Sequence, residues 1–176
     1  LVERYRLAQS EAETLVPAFW ARLDCSEARS LVFVGGNPTE SLAAVLAFLR
    51  AAPAGFALPI GWNCSGYDAV NAIRLLDGIC DVYIPDFKYG NDACATRCSE
   101  APGYADNARG VIQEMVRQAV PVFVRMLVLP GHEECCHEPV LAVLAGLSAT
   151  GNLSVSIQGT YMPEWRALSP NGPLSG

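Results

Sequence analysis

Charge is scarce in this sequence: 17% of its 176 residues are Asp, Glu, Lys or Arg, against about 25% in typical soluble proteins. Basic residues are the scarcer sign, 12 Lys and Arg against 18 Asp and Glu, a net charge of −6. That deficit argues against non-specific binding to nucleic acid, which needs cations to neutralise phosphates. Long apolar runs are missing too. The longest stretch, around Val120–Leu129, is interrupted by Pro121 and Arg125 and falls short of the roughly 18 residues that cross a bilayer. No membrane partner is expected, and a soluble, cytoplasmic chain is the expectation that follows. The chain opens Leu1-Val2-Glu3-Arg4, with neither an initiator Met nor the basic-then-apolar start of a secretory leader. Leu1 is therefore not expected to be the native first residue.

What is abundant is apolar. Hydrophobic residues make up 51% of the chain, too many for disorder and enough for one domain with a sizeable core. Seven cysteines stand at positions 25, 64, 80, 94, 98, 135 and 136. The number is odd and the spacing irregular, in a chain that can build a core without staples, so reduced thiols are expected.

The pattern alternates strand and helix. Apolar β runs occur at Ser30–Val34, Leu58–Asn63, Cys80–Phe87, Pro121–Leu129 and Leu153–Ile157. Between them lie helical spacings at Glu40–Arg50, Asp68–Leu76, Ala105–Gln118 and Pro139–Ser148. The long interval after the third run holds an extra loop, Tyr89–Pro102. This reads as α/β, with about five βα units in a domain over 1–168 and a flexible Pro/Gly/Ser-rich tail over 169–176. A helix near Gln9–Leu23 precedes the first visible strand, whereas a right-handed βα chain normally opens on a strand. Five strands are fewer than the eight of a complete barrel, which takes about 250 residues. The expectation is an open parallel sheet or partial barrel whose first strand is missing.

In such layouts ligands sit at the carboxyl ends of the strands. Those ends read Gly35-Gly36-Asn37, Asn63-Cys64-Ser65, Asp86-Phe87-Lys88, Arg125 with Pro130-Gly131-His132, and Gln158-Gly159-Thr160-Tyr161. The paired glycines allow close approach to a ligand. Asn63, Ser65 and Asp86 suit hydroxyl or amino groups, while Lys88 and Arg125 suit a carboxylate. Five polar ends on apolar strands favour a small polar ligand.

The strings Gly35–Thr39, Trp62–Tyr67, Asp81–Gly90, Val124–His132 and Tyr161–Trp165 together resemble radical SAM proteins of the branch related to pyruvate formate-lyase activating enzyme. The resemblance runs from about Gln9 to Trp165. It implies a partial (βα) barrel, a [4Fe–4S] cluster and S-adenosylmethionine (SAM), which reductive cleavage turns into a 5′-deoxyadenosyl radical. It also implies an electron donor and a protein substrate of the glycyl-radical type. By resemblance, Gly35, Gly36 and Asn37 meet the SAM amino group, and Asn63 and Ser65 lie near its ribose and methionine. Asp86 and Lys88 match an Asp-x-Lys pair, and Arg125, Gln158 and Tyr161 occupy later rims.

Two departures stand out. Asn37 sits where the family often has an acid. The Cys-x-x-x-Cys-x-x-Cys triad that holds the cluster is absent; the nearest spacing is Cys94-Ala95-Thr96-Arg97-Cys98, followed by Ala101. The triad belongs just after a first strand, so its absence and that of the strand are expected to share one cause, a segment upstream of Leu1. No residue of this chain is assigned a catalytic or metal-ligating role, and this chain alone is not expected to cleave SAM. The alternative is a cluster-less relative that binds a nucleotide or protein without redox chemistry. The string His132-Glu133-Glu134-Cys135-Cys136-His137 reads as a loop, because adjacent cysteines seldom close one tetrahedral site; a metal-binding or thiol protein is the third reading. Without its neighbour, the first strand exposes an edge that invites self-association.

Overall fold

The computed structural model describes residues 15–23 and 27–162. Residues 15–23 form helix α1; the start of that expected helix, Cys25 and the tail over 169–176 lie outside the described residues. There follow β1 (Leu31–Phe33), α2 (Leu42–Arg50), β2 (Ile60–Cys64), α3 (Val70–Arg74) and β3 (Val82–Pro85). Next come α4 (Asp92–Ser99), α5 (Tyr104–Arg117), β4 (Val122–Leu127), α6 (Glu138–Leu147) and β5 (Leu153–Gln158).

All five strands are parallel and lie in the order β1-β2-β3-β4-β5. Each crossover therefore moves one strand along in the same direction. Because such crossovers are right-handed, their helices fall on one face of the sheet, as in a barrel, and the sheet stays open. Burial alternates to match. The in-register row Trp62, Tyr83 and Val122 is fully buried, and so is Val124. Their neighbours on the other face are open: Val32 is 38% exposed and Phe123 47% exposed. The β1 edge carries Val32 and Val34, both exposed.

Helix α5 shows how the packing arises. Ala108, Val111, Ile112, Met115 and Val116 recur at three- and four-residue spacing and are all buried, the stripe expected of a helix lying on a sheet. Each large apolar side chain so buried contributes about 1.5–3 kcal/mol. The helix stops where Ala119 takes a positive φ of 60° before Pro121.

Two segments expected to be loops are ordered. Within Tyr89–Pro102 lies α4, capped by the Asn91 side chain, which accepts a hydrogen bond from Cys94 N at 2.8 Å. Residues Glu133–His137 form one π turn running directly into α6.

A polar knot pins α5 against α3 and β3. Gln118 Nε2 donates to the Ile73 carbonyl at 3.0 Å, and Tyr83 Oη donates to Gln118 Oε1 at 2.6 Å. Glu114, buried, accepts from Arg117 Nε at 3.0 Å on both oxygens and from Gln118 Nε2 at 3.1 Å. The Arg117 hydrogen bonds hold the Glu114 carboxyl at about 2, below its ordinary 4.5. Its stabilising share is thus complete above about pH 4.5 and is lost as pH falls toward about 2. Because Arg117 is half exposed, Glu114→Gln is expected to cost only roughly 1 kcal/mol at neutral pH. Urea titrations should show that deficit shrinking as the pH is lowered through the acid range.

Candidate functional site

Three strands deliver one polar network to their carboxyl ends. Asp86 follows β3 and forms an isolated bridge with Arg125 of β4. The backbone pairing continues into the side chains: Arg125 Nε donates to Asp86 Oδ1 at 2.7 Å, and Arg125 Nη2 donates to Asn63 Oδ1 on β2 at 2.9 Å. Lys88 Nζ lies 2.9 Å from Asp86 Oδ2. Asn63, Asp86, Lys88 and Arg125, chosen separately from three strand ends, thus form one contiguous group. Two cations share one carboxylate, which leaves the group able to hold an anionic ligand atom as well.

A second group sits beside it. Gly35 and Gly36 are exposed with φ of 92° and 55°, a reversal that delivers Asn37 to the rim. Asn37 Nδ2 donates to Asp68 Oδ1 at 2.8 Å, and Asn37 Oδ1 accepts from Ser65 N at 3.3 Å. Asp68 is only 3% exposed, and its Oδ2 is buried with no hydrogen-bond partner among the described residues. An unpartnered carboxylate oxygen in such a place is costly and suits a donor from outside the chain. Asn37 thus brings an acid, Asp68, to the same corner of the rim. Cys64, close by, is buried, and that burial pushes its thiol up, with the nearby Asp68 charge adding to it.

Tyr104, at the start of α5, joins the two groups from below. Its hydroxyl accepts from Lys88 N at 3.1 Å and lies 3.1 Å from the Ser65 carbonyl and 3.2 Å from the Asp86 carbonyl. Burial pushes its phenol up, so it stays protonated. Gly66, at φ 75°, lets the two loops approach, because a Cβ there would collide with the Asp86 carbonyl. Gln158 and Tyr161 are not in this network. Gln158 pairs in register with Leu127 and its carbonyl accepts from Val128 N at 2.9 Å, while Tyr161 packs against the core. Asp68 and Tyr104 escape a reading confined to strand ends; an acid four residues after Cys64 was the one available signal.

A third group lies in the loops that follow β3 and β4. Cys94, His132, Cys135 and Cys136 converge with their thiol and imidazole atoms within 4.8 Å of one another. His132 is buried, and that burial, with the Arg97 charge beside it, lowers its pKa below the ordinary 6.5. His137 is occupied elsewhere, accepting from Leu129 N at 3.0 Å. A reading of the string as a loop missed this group because Cys94 comes from another element.

No family model matches the chain. It is 32% identical over 139 residues to an uncharacterized protein of Methanocaldococcus jannaschii, a match covering 79% of this chain and 39% of that protein. The chain therefore spans about two fifths of that relative's length. Among solved structures it is similar to a domain of pyruvate-formate lyase-activating enzyme from Bacteroides vulgatus. The TM-score is 0.50 at 13% identity, over 75% of this chain and all of that domain. The likeness is one of fold, an α/β domain built on an open five-stranded parallel sheet.

Removing the Tyr104 hydroxyl tests how far the rim depends on it. Tyr104→Phe leaves Lys88 N and two carbonyls to find other partners, and is expected to cost about 1–3 kcal/mol in denaturant unfolding. Amide exchange should speed up at Lys88, whose acceptor is lost, by more than the global loss of stability brings about at Val124.

Proposed function

We propose that this chain is the SAM-binding part of a radical SAM enzyme. The observation that carries the reading is the network of Asn63, Asp86, Lys88 and Arg125 across three strand ends, beside the half-satisfied Asp68. SAM presents a carboxylate, an ammonium, a sulfonium and ribose hydroxyls. Arg125 and Lys88 are matched to its carboxylate, Asp68 with Asn37 to its ammonium, and Asn63 and Ser65 to hydroxyl or methionine atoms. Gly35 and Gly36 leave room for the backbone to approach it, since a Cβ at either would meet nothing within 4 Å. Gln158 and Tyr161 belong to a later part of the rim in this reading.

The cluster does not fit the thiols described. Three ligands to three irons of a cubane must be splayed around it, whereas the sulfurs of Cys94, Cys135 and Cys136 lie within 4.8 Å of one another. The cluster thiolates are therefore assigned to residues outside this sequence. The complete enzyme would cleave SAM reductively to a 5′-deoxyadenosyl radical, drawing on an electron donor and acting on a protein substrate of the glycyl-radical type.

The complete gene product, reconstituted with iron and sulfide without oxygen, should form 5′-deoxyadenosine from SAM when a strong reductant is added. Asp86→Asn and Arg125→Leu are expected to lower SAM affinity by at least about tenfold, or about 1.4 kcal/mol. A gene product without a cysteine triad that forms no 5′-deoxyadenosine would overturn the enzymatic reading. Nucleotide binding that still depended on Asp86 and Arg125 would then favour the cluster-less relative.

A further inference from the structure

We propose that Cys94, His132, Cys135 and Cys136 bind a single zinc ion in a closed, structural site. The argument begins with spacing. Residues 132, 135 and 136 stand at i, i+3 and i+4, which share one face of a helical turn. The turn here is wound as π: the His132 carbonyl accepts from Cys136 N at 3.0 Å and from His137 N at 3.1 Å. Adjacent cysteines, poor partners in an extended zinc loop, are thereby both turned toward His132. Cys135 Sγ lies 3.4 Å and Cys136 Sγ 3.7 Å from His132 Nδ1.

The fourth ligand arrives from the preceding unit. Cys94, in the first turn of α4, lies 3.6 Å from Cys135 Sγ, and the Cys135 and Cys136 sulfurs are 3.9 Å apart. A tetrahedral zinc, with bonds of about 2.3 Å to sulfur and about 2.0–2.1 Å to nitrogen, sets its sulfurs about 3.8 Å apart and sulfur and nitrogen about 3.6 Å apart. The four distances above all fall close to those edges. Four protein ligands leave no open position for substrate, which is the hallmark of a structural site.

The surroundings fit the same reading. Asn91 fixes the approach of Cys94: its Oδ1 caps Cys94 N, and its Nδ2 donates to the Cys135 carbonyl at 2.6 Å. The same Nδ2 lies 3.3 Å from Cys94 Sγ and 3.9 Å from Cys136 Sγ, where it would support thiolate charge. Gly90 admits the close contact of the two loops, since a Cβ there would stand 2.6 Å from the Cys136 carbonyl oxygen. His132 Nε2 lies 3.4 Å from Arg97 Nη2. With Nδ1 on the ion the ring proton resides on Nε2, and Arg97, which is exposed, turns to solvent. The zinc would tie the loop after β3 to the loop after β4, and so brace the seam on which Asp86 and Arg125 meet. The site does not depend on the SAM reading and stands or falls separately from it.

The chain, purified reduced and without oxygen, should retain one zinc through gel filtration. Cobalt(II) added to zinc-stripped protein should give the intense visible absorption of a tetrahedral thiolate complex, saturating at one equivalent and abolished by zinc. Cys135→Ala, at a half-buried position, is expected to weaken cobalt binding by at least about tenfold, a loss of about 1.4 kcal/mol. Cys98→Ser, outside the group, should leave stoichiometry unchanged. Reduced, folded wild-type protein that shows no thiolate–cobalt absorption overturns the proposal. So does a Cys94–Cys135 disulfide that persists under reductant, or an iron–sulfur chromophore assigned to these thiols by the same variants.

Discussion

Asp86 is where the sheet and the site become the same object. Between β3 and β4 the ladder pairs Tyr83 with Val122 at one end, and the Asp86–Arg125 bridge closes the other. At that closure Phe87 N donates to the Arg125 carbonyl at 2.9 Å, Asp86 N donates to the Cys64 carbonyl at 2.9 Å, and the side chains form an ion pair. A buried carboxylate is tolerable only when its charge is met, and here Arg125 and Lys88 meet it. The registration of three strands and the placement of both cations thus rest on one group.

Around this seam the architecture follows from handedness. Strands laid down in consecutive order, with right-handed crossovers, carry their helices on one face and leave the other free. The covered face holds the aromatic and β-branched core, from Trp62 through Tyr83 to Val124. The free face leads up to Asn63, Asp86 and Arg125. The strands form a rigid base and the loops after them carry most of the remaining polar groups, the arrangement by which a scaffold positions groups for recognition.

The loops divide the work differently. Those after β1 and β2 meet through Asn37, Ser65 and Asp68 and stay polar. Those after β3 and β4 meet through thiols and an imidazole, packed closely enough that Gly90 has no space for a side chain. Tyr104 stands at the junction and serves the main chain of both β2 and β3 loops.

Period and punctuation determined a good deal by themselves. Strand after helix, the parallel α/β class and the polar strand ends can be read from apolar spacing, because burial on a sheet face or helix stripe imposes a fixed repeat on the chain. The same reading named Asn63, Asp86, Lys88 and Arg125, since carboxyl ends of parallel strands point one way. Only the tertiary structure decided which of these side chains meet. Gln158 and Tyr161 sit on the same rim yet outside the network, because register and twist set their distance from Asp86, and neither is written in local sequence. The convergence of Cys94 with Cys135, and of Asn37 with Asp68, spans 41 and 31 positions. Contacts that far apart in the chain are made by sheet order and loop docking, which act on the folded molecule as a whole.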